Sequence, residues 1–350
     1  AEYLNKNFVS IKVDREQRPD IDSYLMNFIV NTQGTGGWPL NAFFTPELKP
    51  ILALTYVPAS KKYGMPAFIE VLKTVKQFYE KGKTKNYQIS INPEEEVDEE
   101  AVIDNIFSSY DEFAGGFGVE QKFPPHNTLL FLLNYYEHSK DKKIKDMVEK
   151  TLDMISMKGL NDHLQGGFFR YCTDPAWTIP HFEKMLYDQA MHLWVYSLAY
   201  KILKKQEYKT ITEKIIKCLE ESFEDNGLFY SSHDADTEKG EGKAYLWKIE
   251  EIKNILNEEE YKIFSEVYEL DNNLEDKLHL IKKNMIFIEK IEGKLLEFRK
   301  KLTQPFVDKK IITSWNCILG IAFIINYRFT NNIKPKDKAL NIFKKIVDNH

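Results

Sequence analysis

Hydrophobic side chains over roughly the first 80 residues recur at spacings typical of strands and of helices. Alternating apolar residues predict a strand over 8–14. Helical spacing begins at Pro19 and ends at the glycines of 34–37. Two further extended segments and an amphipathic helix are then predicted over 40–44, 51–57 and 66–79. The order β-α-β-β-α is that of a thioredoxin-like half sheet without its first strand and without the start of its first helix.

Strand patterns nearly vanish beyond residue 96, and apolar stripes at helical spacing take over. They predict three helix pairs, over 126–140 with 142–159, 183–204 with 207–222, and 313–329 with 336–348. A glycine followed by an aromatic residue recurs between these pairs, at Gly116-Phe117, Gly167-Phe168 and Gly227-Leu228-Phe229. Two helices per unit at such a period indicate helical hairpins, either stacked in an array or closed into an α/α toroid. Unrelated glycine-aromatic loops are the alternative.

The two patterns divide the chain into two domains. We place a thioredoxin-like domain at 1–85, a polar, charged linker at 86–100 and an α/α barrel of helical hairpins at 101–350. The predicted fold class is therefore α+β followed by all-α. Because the chain starts at Ala1 within a helical pattern and without Met, we expect it to be a fragment of a longer protein.

Composition narrows the classes of partner. The net charge is −5, with 48 basic and 53 acidic residues well mixed, which argues against nucleic-acid and membrane-surface binding. No apolar stretch is long enough to span a bilayer. The cysteines Cys172, Cys218 and Cys317 are far apart, so neither a CxxC centre nor a disulfide framework is expected. We therefore expect a cytoplasmic protein.

The densest group of polar and aromatic residues lies in the loop 161–180 and the helix that we expect after it. The segment Ile179-Pro180-His181 predicts that His181 lies at the first turn of a helix, where the helix dipole favours oxygen-rich ligands. We predict catalytic roles for His181, with Glu183 or Asp188 orienting its ring. The alternative is local helix pairing of Lys184 with Asp188 around core residues.

A second group of polar residues is the acidic loop that follows His233. Asp234 and Asp236 form an Asp-x-Asp pair, which suits either a cation or a sugar hydroxyl. The ligand run of an EF-hand is absent, so we expect no metal and assign both carboxylates to binding or activating a substrate. A solvated acidic loop is the alternative.

Two further helix starts carry His126 and the pair Trp315-Asn316. His126 is equally suited to capping its helix. In a toroid these helix-entry loops converge at one end, where aromatic faces beside carboxylates suit carbohydrate recognition. The predicted substrate-binding residues are His126, Arg170, Tyr171, Trp177, Tyr187, His233, Trp315 and Asn316. We expect no cofactor.

Several motifs resemble those of the spermatogenesis-associated protein 20 family. They are Val13-Asp14-Arg15-Glu16, Gly36-Gly37-Trp38-Pro39, Lys122-Phe123-Pro124, Gly166-Gly167-Phe168, His181-Phe182-Glu183-Lys184-Met185-Leu186-Tyr187-Asp188, Asp234-Ala235-Asp236 and Thr313-Ser314-Trp315-Asn316. The resemblance implies a thioredoxin-like domain followed by a six-hairpin α/α barrel similar to N-acylglucosamine 2-epimerase and six-hairpin glycosidases. It also implies that Pro39 is the cis-proline beside the active site of thioredoxin folds, and that the barrel is incomplete at its C-terminal end.

The family's Cys-His-Trp-Cys motif is missing from this chain, and we expect it upstream of Ala1. Three functions stay open. The first is a sugar epimerase or glycosidase-like enzyme, in which His126 or His233 supplies a second base. The second is a thioredoxin-fold redox protein or chaperone that binds protein clients and carries its redox motif outside this chain. The third is a non-catalytic module that binds sugars or clients.

Overall fold

The computed structural model describes residues 1–62, 64–82, 98–271, 273–274 and 277–349. The chain separates into two compact units, Ala1–Val97 and Asp98–His350. Most of the predicted linker, 86–100, lies outside the described residues.

The first unit combines three helices with one hairpin. Its elements are α1 (Glu2–Asn7), α2 (Pro19–Gln33), β1 (Asn41–Phe44), β2 (Pro50–Leu54) and α3 (Phe68–Glu80). β1 and β2 are antiparallel. Phe28 and Ile29 of α2 and Ala53 of β2 form its small core. The Trp38–Pro39 peptide bond is cis.

The strand predicted over 8–14 is wrong. The segment has no strand pairing, and Val9 and Ile11 are 91% and 78% exposed. Alternating apolar residues define a face, but a strand also needs a partner for its backbone N–H and C=O groups. In the described part of this unit, β1 and β2 pair only with each other.

The second unit is built mainly from helices joined by very short strands. Its helices are α4 (Glu99–Ser109), α5 (His126–Ser139), α6 (Lys142–Met157), α7 (Leu186–Leu203), α8 (Gln206–Ser222), α9 (Ile249–Ile255), α10 (Glu258–Val267), α11 (Glu289–Arg299), α12 (Thr313–Thr330) and α13 (Ile333–Asn349). Its strands are β3 (Tyr171–Cys172), β4 (Pro180–His181), β5 (Lys184–Met185), β6 (Glu224–Asp225), β7 (Leu228–Phe229), β8 (Ser232–His233), β9 (Asp236–Thr237), β10 (Gly240–Glu241), β11 (Asn273–Leu274), β12 (Lys277–Leu278) and β13 (Val307–Asp308).

The three predicted helix pairs are present as α5–α6, α7–α8 and α12–α13. α7 packs against both α5 and α12, so these three helices form one layer. The buried residues of α7 lie on all sides of that helix, whereas α6 and α8 each bury a single stripe of residues. The predicted fold class, an α+β unit followed by a unit of helical hairpins, is therefore confirmed. Among the described helices none has both the length and the apolar character that crossing a membrane requires.

Two of the three glycine-aromatic turns are fixed by amide side chains from α7 and α12, which we call the inner helices. Gln189 of α7 accepts a hydrogen bond from the Phe168 N–H (2.8 Å) and donates one to its carbonyl (2.7 Å). Asn316 of α12 makes the same pair of bonds to Phe229, at 2.8 and 3.0 Å. Each amide thus replaces a neighbouring strand. The glycine-aromatic pattern that recurs in the sequence thus includes two turns that are each held by an amide side chain of a neighbouring helix.

A buried carboxylate connects three distant parts of the second unit. Asp162 accepts two hydrogen bonds from Arg299 at the end of α11, both at 2.8 Å, and one from Lys184 of β5 at 2.7 Å. All three side chains are almost fully buried. Burial alone would raise the pKa of Asp162, but the two cations outweigh it and hold the pKa far below its ordinary value. The ion cluster therefore fixes β5 and α11 to the turn after α6.

We expect Asp162→Ala to lower the free energy of unfolding by about 3–5 kcal/mol, because it leaves two cations buried without a counter-charge. Denaturant unfolding measures this value. The matched control is Glu149→Ala, which breaks the partly exposed Lys145–Glu149 pair (3.9 Å) and should cost less than about 0.5 kcal/mol. Equal losses in the two variants would contradict the role of Asp162.

A second buried carboxylate, that of Glu292, should make the free energy of unfolding depend on pH in the acidic range. Glu292 binds Lys214 (2.7 Å) and Lys282 (2.6 Å). Burial alone would raise the pKa of Glu292, but the two ammonium groups lower it to about 2. Its contribution is therefore complete above the ordinary pKa of 4.5 and is lost as pH falls toward 2.

We expect the loss of stability caused by Glu292→Gln to be largest at neutral pH and to shrink as the pH falls below about 4.5. Denaturant unfolding of wild type and variant over this pH range measures the difference. A difference that stays constant with pH would contradict the lowered pKa of Glu292.

Candidate functional site

His181 lies in a strand, not at the start of a helix, which corrects the prediction. β3 and β4 pair Tyr171 with His181, and α7 begins only at Leu186. The carboxylate of Asp174 accepts hydrogen bonds from the backbone N–H groups of residues 176, 178 and 179. These bonds close the loop between the two strands, and Pro180 continues as extended chain.

His181 is held between two carboxylates. Its Nδ1 lies 2.7 Å from Oε1 of Glu241, and its Nε2 lies 3.8 Å from Oε2 of Glu183. A carboxylate only accepts hydrogen bonds, so Nδ1 carries the proton in the neutral ring and Nε2 keeps its lone pair. The ring stacks on Tyr171 (5.1 Å between centroids), which stacks on Phe123 (4.6 Å). The side chain of His181 is 28% exposed, so Nε2 belongs to an accessible group.

Glu183 connects His181 to a second group of side chains, which we call the Arg170 cluster: Arg170, Glu183, Tyr187 and Asp188. The guanidinium of Arg170 donates to Glu183 at 2.8 Å and interacts electrostatically with the Tyr187 side chain. The Tyr187 ring lies against Trp315, with centroids 4.9 Å apart. Two loop residues, Arg170 and Glu183, thus meet two residues of α7, Tyr187 and Asp188, next to His181.

Asp188 lies in the first turn of α7 and is only 5% exposed. Its Oδ2 has no hydrogen-bond partner, and neither has the buried Nε of Arg170. Burial raises the pKa of Asp188 well above its ordinary value, although Arg170 opposes the shift. The Arg170 cluster therefore combines a partly accessible carboxyl group, Glu183, with a buried one, Asp188, whose surroundings favour its protonated form.

Two imidazoles pack deeper in the helical layer. The rings of His126 and His192 are 4.4 Å apart, and His192 also stacks on Phe168 at 3.9 Å. Neither Nε2 has a hydrogen-bond partner. Burial lowers the pKa of His126 to about 3 and that of His192 well below its ordinary value. Both rings are therefore neutral at physiological pH.

The structure does not support substrate binding by three of the predicted residues. Trp177 is fully buried, and its Nε1 donates to the carbonyls of 114 and 115. His233 is buried against Phe223, with Nε2 bound to a backbone carbonyl. Asn316 uses its amide to fix Phe229. Each side chain is committed to the fold, so none offers a free polar group to a ligand.

Asp234 and Asp236 are exposed in a turn and do not join the Arg170 cluster. Asp234 accepts a hydrogen bond from the N–H of Asp236 at 3.1 Å. Asp236 lies opposite Glu241 in the β9–β10 hairpin. No group of three His, Cys, Asp or Glu side chains suited to a metal occurs in the part of the chain that the structure describes.

Glu241 is the site residue that sequence reasoning missed. Its position between Gly240 and Gly242 was the available signal, because a Cβ at 242 would lie 2.5 Å from the ring of Phe182. Phe182 precedes Glu183 and follows His181, so this close approach brings the hairpin to the site. The contact between Glu241 and His181 joins residues 60 positions apart.

Comparison with known proteins identifies the family. A model described as a protein of unknown function, DUF255 (Thioredox_DsbH), matches residues 1–98. An uncharacterized protein of Caenorhabditis elegans is 31% identical over 97% of this chain and 55% of its own length. Human spermatogenesis-associated protein 20 is 29% identical over 97% of this chain and 51% of its own length. The chain belongs to the spermatogenesis-associated protein 20-like family.

The family predicted from the motifs is thus confirmed, as is the thioredoxin-like region at the N-terminal end. This spermatogenesis-associated protein 20-like chain spans about half the length of the curated relatives it matches. The role of Pro39 in this region stays a prediction.

Solved structures show only remote likenesses to this spermatogenesis-associated protein 20-like chain. D-mannose isomerase aligns over 69% of this chain and 49% of its own, with 13% identity and a TM-score of 0.41. A sugar epimerase from a ruminal bacterium aligns over 70% of this chain and 83% of its own, with 13% identity and a TM-score of 0.36. Scores of this size describe only a distant likeness of backbones, and the chemistry of the site rests on its own side chains.

Asp188→Asn tests the raised pKa in this spermatogenesis-associated protein 20-like chain. The folded chain binds this proton more tightly than the unfolded chain, so wild-type stability falls as pH rises above about 4, by up to about 1.4 kcal/mol per pH unit. The amide does not titrate. We therefore expect the variant to gain stability relative to wild type as the pH rises above about 4, as measured by denaturant unfolding.

The matched control is Asp146→Asn, which changes an exposed carboxyl of α6. Its stability difference from wild type should not vary over the same pH range. A pH-independent difference for Asp188→Asn would show that Asp188 is ionised in the folded chain.

Proposed function

We propose that the helical unit is an acid–base enzyme acting on a sugar, with its site at His181 and the Arg170 cluster. The observation that carries the proposal is the orientation of His181, whose Nδ1 is held by Glu241 while Nε2 is free to take a proton. A positioned imidazole of this kind is the commonest general base. Its partner Glu241 has the role of an orienting carboxylate.

The acid in this proposal is Asp188. A carboxyl group kept protonated by burial can donate a proton or a hydrogen bond to a substrate oxygen at neutral pH. The neighbouring Arg170 Nε is a second donor without a partner. These two donors suit an oxygen on which negative charge develops.

Aromatic rings border the same site. Tyr171 and Trp315 are half-buried, and Phe123 is 50% exposed at the outer end of the stack. Flat apolar rings beside hydroxyl-binding polar groups are the combination that sugar rings require. This arrangement supports a carbohydrate-like substrate.

Proton transfer, as in epimerisation or isomerisation, fits the side chains better than glycoside hydrolysis. A hydrolase places two carboxyl groups on either side of a glycosidic bond. Here Glu183 is bound to Arg170 at 2.8 Å, and the free basic atom belongs to an imidazole. We therefore propose abstraction of a proton from the carbon next to a sugar carbonyl by Nε2 of His181, with hydrogen-bond donation to the carbonyl oxygen from Asp188.

The cysteines of this chain do not favour the redox alternative. Cys172 and Cys218 are buried, and burial raises the pKa of both thiols. A protonated, inaccessible thiol is a poor nucleophile. Cys317 is half-buried, but with the other two thiols buried it has no accessible cysteine in this chain with which to form a redox pair.

We expect the 350-residue chain to incorporate deuterium from D₂O at the carbon next to the carbonyl of at least one reducing sugar, followed by NMR over a panel of aldoses and ketoses. His181→Gln and Asp188→Asn should each slow this exchange by about 10²–10⁴-fold, because each removes one proton-transfer group. The matched control, His138→Gln, changes an exposed histidine near the C-terminal end of α5 and should leave the rate unchanged.

Release of new reducing ends from oligosaccharides without deuterium exchange would contradict epimerisation and would indicate a glycoside hydrolase instead. Neither reaction, together with an unchanged melting temperature across the panel, would contradict a sugar enzyme and favour client binding. Equal loss in all three variants would contradict the assignment of His181 and Asp188.

A further inference from the structure

A groove in the described residues lies away from the Arg170 cluster, between α8, α9 and α11. Its volume is about 800 Å³. Leu296 and Phe298 of α11 and Ile255 of α9 form its apolar floor. α9 and α11 belong to a separate hydrophobic core around Trp247, Phe264 and Tyr268. The groove is therefore a feature of a well-packed part of the helical unit.

Lysines surround this apolar floor. The lining contains five lysines, Lys217, Lys290, Lys294, Lys300 and Lys301, against the two carboxylates of Glu221 and Glu297. Lys294 pairs with Glu260 at 2.6 Å, and Lys300 lies 3.6 Å from Glu221. Lys290 and Lys301 have no carboxylate partner among the described residues and are exposed. The rim therefore carries an excess of positive charge in a chain whose net charge is −5.

Gly293 is a second, independent feature of the groove. It lies within α11, where glycine lowers helix stability relative to alanine. Nothing lies within 4 Å of a Cβ built at this position, and its φ is not left-handed. Neither packing nor backbone conformation within this chain accounts for the glycine. The open space at this glycine leaves room for a second backbone to approach α11 closely.

We propose that this groove binds an acidic amphipathic helix of a partner protein. Apolar side chains of that helix would cover the half-buried Ile255 and Phe298, and its carboxylates would pair with Lys290 and Lys301. The length of α11, 11 residues or about 16 Å, matches about three turns of such a helix. The interaction does not depend on the sugar chemistry proposed above.

A peptide fits these observations better than a nucleic acid. The apolar floor gives no partner to a phosphate backbone. An amphipathic helix uses both the floor and the rim. The charge arrangement therefore selects an acidic protein segment.

Fluorescence anisotropy with a labelled three-turn helical peptide tests the proposal. The probe carries leucines along one face and glutamates beside them, and the comparison peptide has lysine in place of each glutamate. We expect only the acidic peptide to bind, with an affinity that falls as ionic strength rises. The double variant Lys290→Glu/Lys301→Glu should weaken binding at least about tenfold.

Gly293→Trp should weaken binding to a similar extent by filling the groove, since the space beside residue 293 is open. The matched control is Lys142→Glu/Lys143→Glu, which makes the same charge change at exposed residues of α6 and should leave binding unchanged. Unchanged circular dichroism spectra would establish that all variants fold.

Failure of the acidic peptide to bind, or equal binding by wild type and both groove variants, would overturn the proposal. Tighter binding of a polyuridine oligonucleotide, weakened by Lys290→Glu/Lys301→Glu, would overturn it in favour of a nucleic-acid site.

Discussion

The buried contact of Asp162 with Lys184 and Arg299 is the interaction on which the helical unit depends. Three charges lie almost out of reach of water, and they are tolerated because Asp162 accepts hydrogen bonds from both cations. Lys184 is the residue after Glu183, and successive side chains of an extended segment point to opposite faces. When Lys184 points inward to Asp162, Glu183 points outward to Arg170 and His181. The ion cluster therefore sets the orientation of the site.

The same constraint determines where α7 begins. Lys184 and Met185 pair with β8, and the helix starts at the next residue. Asp188 then falls in the first turn, close enough to Arg170 and Glu183 for their charges to affect its pKa. One turn of helix thus carries Tyr187 at the accessible side and Asp188 at the buried side. Glu183 and Asp188 are neighbouring carboxyl groups, but Glu183 is partly exposed and Asp188 is buried, so their environments differ.

Amide side chains give the hairpins a common architecture without a large sheet. Gln189 and Asn316 supply the hydrogen bonds that a strand would give to Phe168 and Phe229. The inner helices therefore fix the turns that lead into the site loops. Of the polar residues at the starts of α7 and α12, Asn316 holds a turn of the fold by its hydrogen bonds to Phe229, whereas Oδ2 of Asp188 has no hydrogen-bond partner.

Sequence alone determined the helix pairs, the glycine-aromatic turns and the family, because these depend on spacing within short segments and on long motifs. It also pointed to Arg170, His181, Glu183 and Asp188 as a group. Only the tertiary structure showed the strand at His181, since the Cys172–Pro180 pairing overrides a helix-start pattern. The roles of Trp177 and Asn316 were likewise decided by burial. Glu241 contacts His181 across 60 positions, and no local pattern records a contact at that distance.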